Sequence, residues 1–197
     1  DEPFTMTISQ MIETFGLETR VMTMQCGDNG IGMPWIGNFE VTGIDIAKLL
    51  ERAGIQAGSN CLTVSNGKGT NYYTKLNDFA LYGGFLVLRV AGEPLPYQSG
   101  YPIQAWMGAA AAWRNTKEVT SLIITTEDFD SPSFPAWAFN TGFFDENGVS
   151  YYEPNIGVFD LTDGQILSGG ESHTFTGYAW SYDKTIAAVE LSFDRGE

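Results

Sequence analysis

The helical period that marks the first part of the chain is lost before Asn155. Upstream, helix and strand patterns alternate. Thr7 to Phe15 places Ile8, Met11, Ile12 and Phe15 at helical spacing, and Gly16 ends the run. Asp45 to Ala53 reads as a second helix, with Asp45 as N-cap and Gly54 just past its end. Strands are expected over Arg20 to Gln25, Cys61 to Ser65, Phe85 to Val90 and Val119 to Thr125. The unbroken apolar run of Phe85 to Val90 suits a buried strand. Asn66 to Tyr73 reads as a polar loop and Ala91-Gly92-Glu93-Pro94 as a turn. Downstream, Gly157 to Leu161, Ser172 to Trp180 and Thr185 to Phe193 read as successive strands, with turns at Asp163-Gly164 and Tyr182-Asp183. The fold class expected is therefore α+β. A mixed domain occupies 1–127, a proline-containing connection 128–154, and the opening strands of a β-sandwich 155–197.

Charge narrows the partners. Twenty-four acidic residues against ten basic ones give −14. Nucleic acid and anionic membrane surfaces need Lys and Arg, so both are excluded as partners. An anionic ligand would need a local basic pocket set against the global field. Apolar residues at 43% suffice for a core, and 27 aromatic side chains (13 Phe, 9 Tyr, 5 Trp) argue against disorder. No run reaches the ~18 apolar residues of a spanning helix. The chain begins at Asp1-Glu2-Pro3. Either a leader or anchor has been removed or the chain is a piece of something longer, and the expected location is extracytoplasmic, periplasmic or at the cell surface. The other end, Asp194 to Glu197, falls within what reads as a hairpin, as expected of truncation or of disorder beyond that point.

Cysteine carries the chemistry. With His173 as its single histidine, the chain has no zinc-type Cys/His spacing. Cys61 lies inside an apolar strand and reads as core. Cys26 follows a strand and opens the glycine-rich run Cys26-Gly27-Asp28-Asn29-Gly30-Ile31-Gly32. A free cysteine is most often a buried small hydrophobe. At a loop whose backbone N–H groups converge, it is also a soft ligand for a transition metal. No disulfide between Cys26 and Cys61 is expected.

Longer strings give Cys26 a context. Gln25-Cys26-x-x-Asn29 is followed by Gly43-Ile44-x-Ile46-x-x-Leu49-Leu50-x-x-Ala53-Gly54, then Ala91-Gly92-Glu93-Pro94-Leu95-Pro96, then Gly100-Tyr101-Pro102-Ile103, with Arg114 and Lys117 beyond. Gly177-Tyr178-Ala179-Trp180 and Ile186-x-x-Val189-Glu190 close the series. In this order the strings resemble the molybdopterin-binding domain of the sulfite oxidase family, followed by the start of its immunoglobulin-like dimerisation domain. The resemblance implies a molybdenum-molybdopterin cofactor with Cys26 as metal ligand and catalytic residue. It implies Arg114 and Lys117 at the pterin phosphate and Asn29 ordering the loop beside Cys26. It also implies oxygen-atom transfer to or from a small-molecule substrate, an electron-transfer partner not identified by sequence, and a homodimer as a candidate state.

Departures from the pattern bear on the substrate. Gly30, Ile31 and Gln104 stand where sulfite-oxidising members carry arginines. Sulfite would lose bidentate guanidinium partners there, so an uncharged or larger substrate such as a sulfoxide is expected. Asp28 replaces a family glycine, and Gly108-Ala109 replaces a Pro-Gly. Trp35 reads as packing or as a cover for the pocket, and His173 matches no motif position. The alternative is a cofactor-free relative serving as a binding or structural module of an extracellular protein.

Overall fold

A computed structural model describes residues 3–69, 71–108, 110–131, 133–134, 154–181 and 184–192. Contacts divide the chain into two units, 1–27 with 36–141 and 28–35 with 142–197. Helices and antiparallel sheets are mixed, an α+β chain. Most of the expected connection over 128–154 lies outside the described residues.

In the first unit, helix α1 (Ile8–Phe15) opens on a capping box. The Gln10 backbone N–H donates to Thr7 Oγ1 at 3.2 Å, and the Thr7 N–H donates to Gln10 Oε1 at 2.8 Å. Strand β1 (Glu18–Gln25) pairs along its whole length with β2 (Ile36–Asp45). The last residue of β2, Asp45, caps α2 (Ile46–Ala53) by accepting the Ala47 N–H at 2.9 Å. Lys48 on α2 reaches the carbonyl of Phe15 at the end of α1, where a cation meets the negative pole of the helix. The chain continues through β3 (Cys61–Ser65), β4 (Asn71–Lys75), α3 (Leu76–Tyr82) and β5 (Gly84–Val90). Short β6 (Glu93–Pro94), β7 (Gln104–Met107), β8 (Thr116–Lys117) and β9 (Ser121–Thr125) complete the unit.

Two sheets result. One runs β1-β2-β5-β7-β8, with β6 hydrogen-bonded to β5; the other runs β4-β3-β9. Side-chain alternation gives the larger sheet two apolar faces. Ile44, Leu86, Ala105 and Met107 join Leu49 and Leu50 of α2 and Leu62 and Val64 of β3 in the main core. Val41, Phe85, Val87 and Trp106 point the other way and pack with Leu95. Burial of each of these larger side chains stabilises the fold by about 1.5–3 kcal/mol. The second core leaves part of its face open, and there the site forms.

No element is expected from the sequence at β2, α3, β7 or β8, and Glu93–Pro94 of β6 falls in the expected turn. The polar loop expected over Asn66 to Tyr73 gives way to β4 from Asn71. In the second unit the structure has β10 (Asn155–Val158) and β11 (Gly177–Trp180), paired antiparallel. Both are shorter than the strands expected there. Residues 184–192 form no strand where Thr185 to Phe193 was read as one, and Phe193 lies outside the described residues.

Candidate functional site

A cavity of about 870 Å³ opens on the second face of the larger sheet. Its position follows from strand register. Gln104 pairs with Lys117 across β7 and β8, and Trp106 lies two residues from Gln104 on the same face. All three line the cavity, as do Met24 of β1 and Phe39 of β2. The Phe39 and Trp106 rings meet edge to face, with centroids 6.0 Å apart, and Tyr72 and Trp113 form a second such pair at 5.9 Å. Among the described residues, one cation, Lys117, and one anion, Glu93, belong to the lining.

The polar groups have defined partners. Trp106 Nε1 donates to Gln104 Oε1 at 2.9 Å, and Gln104 is buried. Asn115 Oδ1 accepts the Met107 backbone N–H at 3.2 Å, tying the short 3-10 turn Ala112–Arg114 to β7. Lys117 Nζ donates to the Gln98 carbonyl at 2.6 Å. The lysine stem is seated by Gly100, whose φ of +90° and lack of a side chain admit it. The string around Gly100 and the cation at 117 are therefore one structural device.

The residues singled out from the sequence separate by place. Lys117 lines the cavity. Arg114 does not; its guanidinium donates to the Tyr73 carbonyl at 2.6 Å and stands 6.0 Å from the ring of Trp113, which does line it. Cys26 is a half-buried free thiol one residue beyond β1 and two residues from the cavity-lining Met24. Cys61 is a fully buried free thiol in β3, and desolvation by its burial pushes its pKa up. It stays protonated in the core.

Asn29 belongs to the second unit. It is buried, its Oδ1 accepts the Trp35 backbone N–H at 2.8 Å, and its Nδ2 has no partner among the described residues. Sequence reasoning missed the residue that holds this loop. The buried carboxamide of Asn155 accepts from the Gly32 N–H at 3.1 Å and donates to the Gly30 carbonyl at 3.1 Å. The Tyr178 hydroxyl stands 3.1 Å from the Met33 carbonyl and 3.2 Å from Asn155 Oδ1. No local spacing marks a contact across more than a hundred residues. An asparagine opening a strand was the one available signal.

Residues 1–133 match the oxidoreductase molybdopterin-binding domain. The chain belongs to that family. No curated protein matches it. Among solved structures this molybdopterin-binding domain is similar to the sulfane dehydrogenase SoxCD from Paracoccus pantotrophus. The TM-score is 0.54 at 19% identity, over 71% of this chain and 39% of that one. The likeness is one of fold, and this chain spans about two fifths of that chain's length.

The residues fit the family's cofactor. The cavity volume lies within the ~300–1,000 Å³ of small-ligand pockets. Its aromatic walls suit a flat heterocycle. Lys117 and the amide groups of Gln104 and Asn115 offer hydrogen-bond donors to its polar edge and phosphate. Cys26 is a free thiol near one end of this wall in sequence. A single thiolate is a soft ligand suited to a metal chelated mainly by an organic ligand.

Proposed function

We propose that this chain is the cofactor-carrying part of a molybdenum-pterin oxidoreductase of the sulfite oxidase type, acting on a small uncharged substrate. The observation that carries the reading is the aromatic, donor-bearing cavity with Lys117 in its wall. The cofactor, when bound, supplies the two-electron redox change and the site of oxygen-atom transfer.

The chain's own residues divide the remaining work. Cys26 gives the metal a soft thiolate ligand and is the catalytic residue in that sense. Lys117 holds the phosphate, with Arg114 as a second cation nearby in sequence. Asn29 orders the loop that follows Cys26. Gly30, Ile31 and Gln104 offer no guanidinium to an oxyanion, which supports a substrate other than sulfite. The unit carrying β10 and β11 is read as the opening of an immunoglobulin-like sandwich, with a homodimer as the assembled state, an extracytoplasmic location and a separate electron-transfer partner. No helix among the described residues is long and apolar enough to cross a membrane.

The test is molybdenum content. The protein is made in a host that synthesises the pterin, and metal per chain and melting temperature are measured for wild type and Cys26→Ser. Stoichiometric molybdenum in the wild type, with loss of activity and no loss of fold in the variant, supports the reading. Wild type without molybdenum, and a variant that is merely less stable, overturns it in favour of a cofactor-free binding module.

A further inference from the structure

Glu118 holds a backbone conformation that glycine would adopt without strain. Its φ is +55°, in the left-handed region, and it follows Lys117 directly. The residue sits at a joint. Before it, Thr116 and Lys117 form β8 at the end of the larger sheet; after it, β9 runs at the end of the smaller one. Both flanks are tied. Lys117 pairs with Gln104 of β7, the Val119 N–H donates to the Ile103 carbonyl at 3.2 Å, and the Thr120 N–H donates to the Ser65 carbonyl at 2.8 Å. A strained residue persists where its surroundings hold it. The side chain of Glu118 supplies what glycine could not: its carboxylate accepts from the Lys68 ammonium. Lys68 lies three residues past β3, and its backbone N–H donates to Asn66 Oδ1 at 2.9 Å. Asn66 and Lys117 line the same cavity. The ion pair therefore ties the chain beside Asn66 to the chain beside Lys117.

We propose that Glu118 is the positioning residue of Lys117, with Lys68 as its counter-ion, and that the pair fixes the joint between β8 and β9 so that the Lys117 ammonium is aimed at an anionic group in the cavity. This rests on Lys117 being the phosphate-holding cation of the function proposed above, and it adds the residues that set how well Lys117 holds. An ammonium has three donors, so the Gln98 carbonyl leaves Lys117 able to serve an anion as well. A second effect opposes the first. The Glu118 carboxylate, next to Lys117 in sequence, repels an anion through space, and Lys68 offsets that charge. The two effects differ in sign. Removing the charge of Glu118 weakens anion binding if position governs, and strengthens it if the field alone governs.

Two measurements on the full chain test this. Pterin occupancy is read on protein from a host that makes the pterin, by the fluorescence of its oxidised product. Affinity for phenyl phosphate, an aromatic ring bearing a phosphate dianion, is read by ligand-observed NMR on protein from a host that does not. Wild type is expected to bind phenyl phosphate, and Lys117→Ala to weaken it about tenfold. Glu118→Gln and Lys68→Gln are each expected to weaken it about threefold, with pterin occupancy lowered in the same order. Glu118→Gly relieves the left-handed backbone and removes the carboxylate. It should melt within a few degrees of wild type and still bind about threefold more weakly. A residue needed only for the turn would be replaced by glycine without loss of binding. Exchanging the charges, Lys68→Glu with Glu118→Lys, is expected to recover wild-type affinity.

Tighter binding by Glu118→Gln with weaker binding by Lys68→Gln is the signature of the field alone and overturns the proposal. Unchanged affinity in both, a charge exchange that fails to recover it, or wild type that binds no phenyl phosphate does so as well. Pterin missing from wild type, with the phenyl phosphate order kept, removes the enzyme reading and leaves this proposal standing. Pterin present, with occupancy untouched by the Glu118 and Lys68 variants, does the reverse.

Discussion

Gly100 lies against the stem of Lys117, so closely that a β-carbon at position 100 would come within 2.6 Å of Lys117 Cβ and 2.8 Å of its Cα. Real atoms cannot share that space. This cation of the cavity wall is thus held from below by a missing side chain and from its tip by the Gln98 carbonyl. Gly100→Ala must either move β8 or strain a backbone whose φ is +90°. The expected cost is about 1–3 kcal/mol of stability, with cofactor retention falling further than the melting temperature alone predicts. Thermal melting paired with molybdenum content checks this. A variant unchanged in both would show that position 100 does not seat Lys117.

Asn155 makes a second long-range tie, from β10 to the loop 28–35. Asn155→Ala leaves the Gly32 N–H and the Gly30 carbonyl without their carboxamide partner. Both groups are only partly buried, so each left unmatched costs at most about 1 kcal/mol. The loss should be local to the second unit, so hydrogen exchange is the right probe. The Gly32 amide is expected to exchange at least tenfold faster in the variant. Exchange equal to that of wild type would remove Asn155 as the anchor. Asn155→Asp, which keeps an acceptor for the Gly32 N–H, should protect that amide better than alanine does.

These two ties also show where sequence reading stopped. Helices α1 and α2 were legible because their signals are local: Thr7 with Gln10, Asp45 with Ala47, and a glycine after each. Strand β5 was legible because it lies between β2 and β7 and is apolar on both faces. Helix α3 was missed because Lys75 at its N-cap makes no side-chain capping bond. Strand β2 was missed because Gly37, Asn38 and Gly43 interrupt its pattern; its pairing with β1 and β5 holds it instead. Gly43 is needed there, since a β-carbon would sit 1.9 Å from the Leu86 carbonyl oxygen. Lys117 could be picked out by its spacing. The Gln104–Trp106 bond and the Asn155 anchor depend on side-chain geometry that no spacing encodes.

Acid should weaken the junction of β1 and α2. Glu18 accepts from Lys48 at 2.5 Å and from Arg20 at 2.5 Å, and Arg20 also reaches Asp45 at 3.0 Å. The hydrogen bond from Lys48 first, and that from Arg20 second, hold the Glu18 carboxyl below its ordinary value. A depressed carboxylate adds stability that is present above the ordinary glutamate value, about 4.3. That stability is lost as pH falls through the lowered folded-state value. Glu18→Gln should therefore melt below wild type near neutral pH, and the gap should close as pH drops through and below the ordinary range. The side chain is 37% exposed, so the gap should also shrink in high salt. A gap that widened on acidification would contradict the assignment.

Cys26 and Lys117 should fail in different ways. In the proposed function the thiolate meets the metal and the ammonium the phosphate, so the two losses are separable. Cys26→Ser keeps size and hydrogen bonding and removes the soft ligand. Pterin should remain, held by Lys117, while activity is lost. Lys117→Ala removes from the wall of the cavity the cation proposed for the phosphate. A charge-assisted contact of this kind is worth about 1.5–3 kcal/mol, which is roughly tenfold or more in retention of a dissociable group. Pterin occupancy, read from the fluorescence of its oxidised product after denaturation, should fall in Lys117→Ala and hold in Cys26→Ser. Lys117 is exposed at the surface, so its truncation should leave the melting temperature of cofactor-free protein within a few degrees of wild type. If both variants lost pterin equally, the cysteine would be the main anchor of the whole group and Lys117 a bystander. If Lys117→Ala retained full occupancy, the phosphate would have to be sought at Arg114, whose guanidinium is bonded to the Tyr73 carbonyl and would have to turn from it.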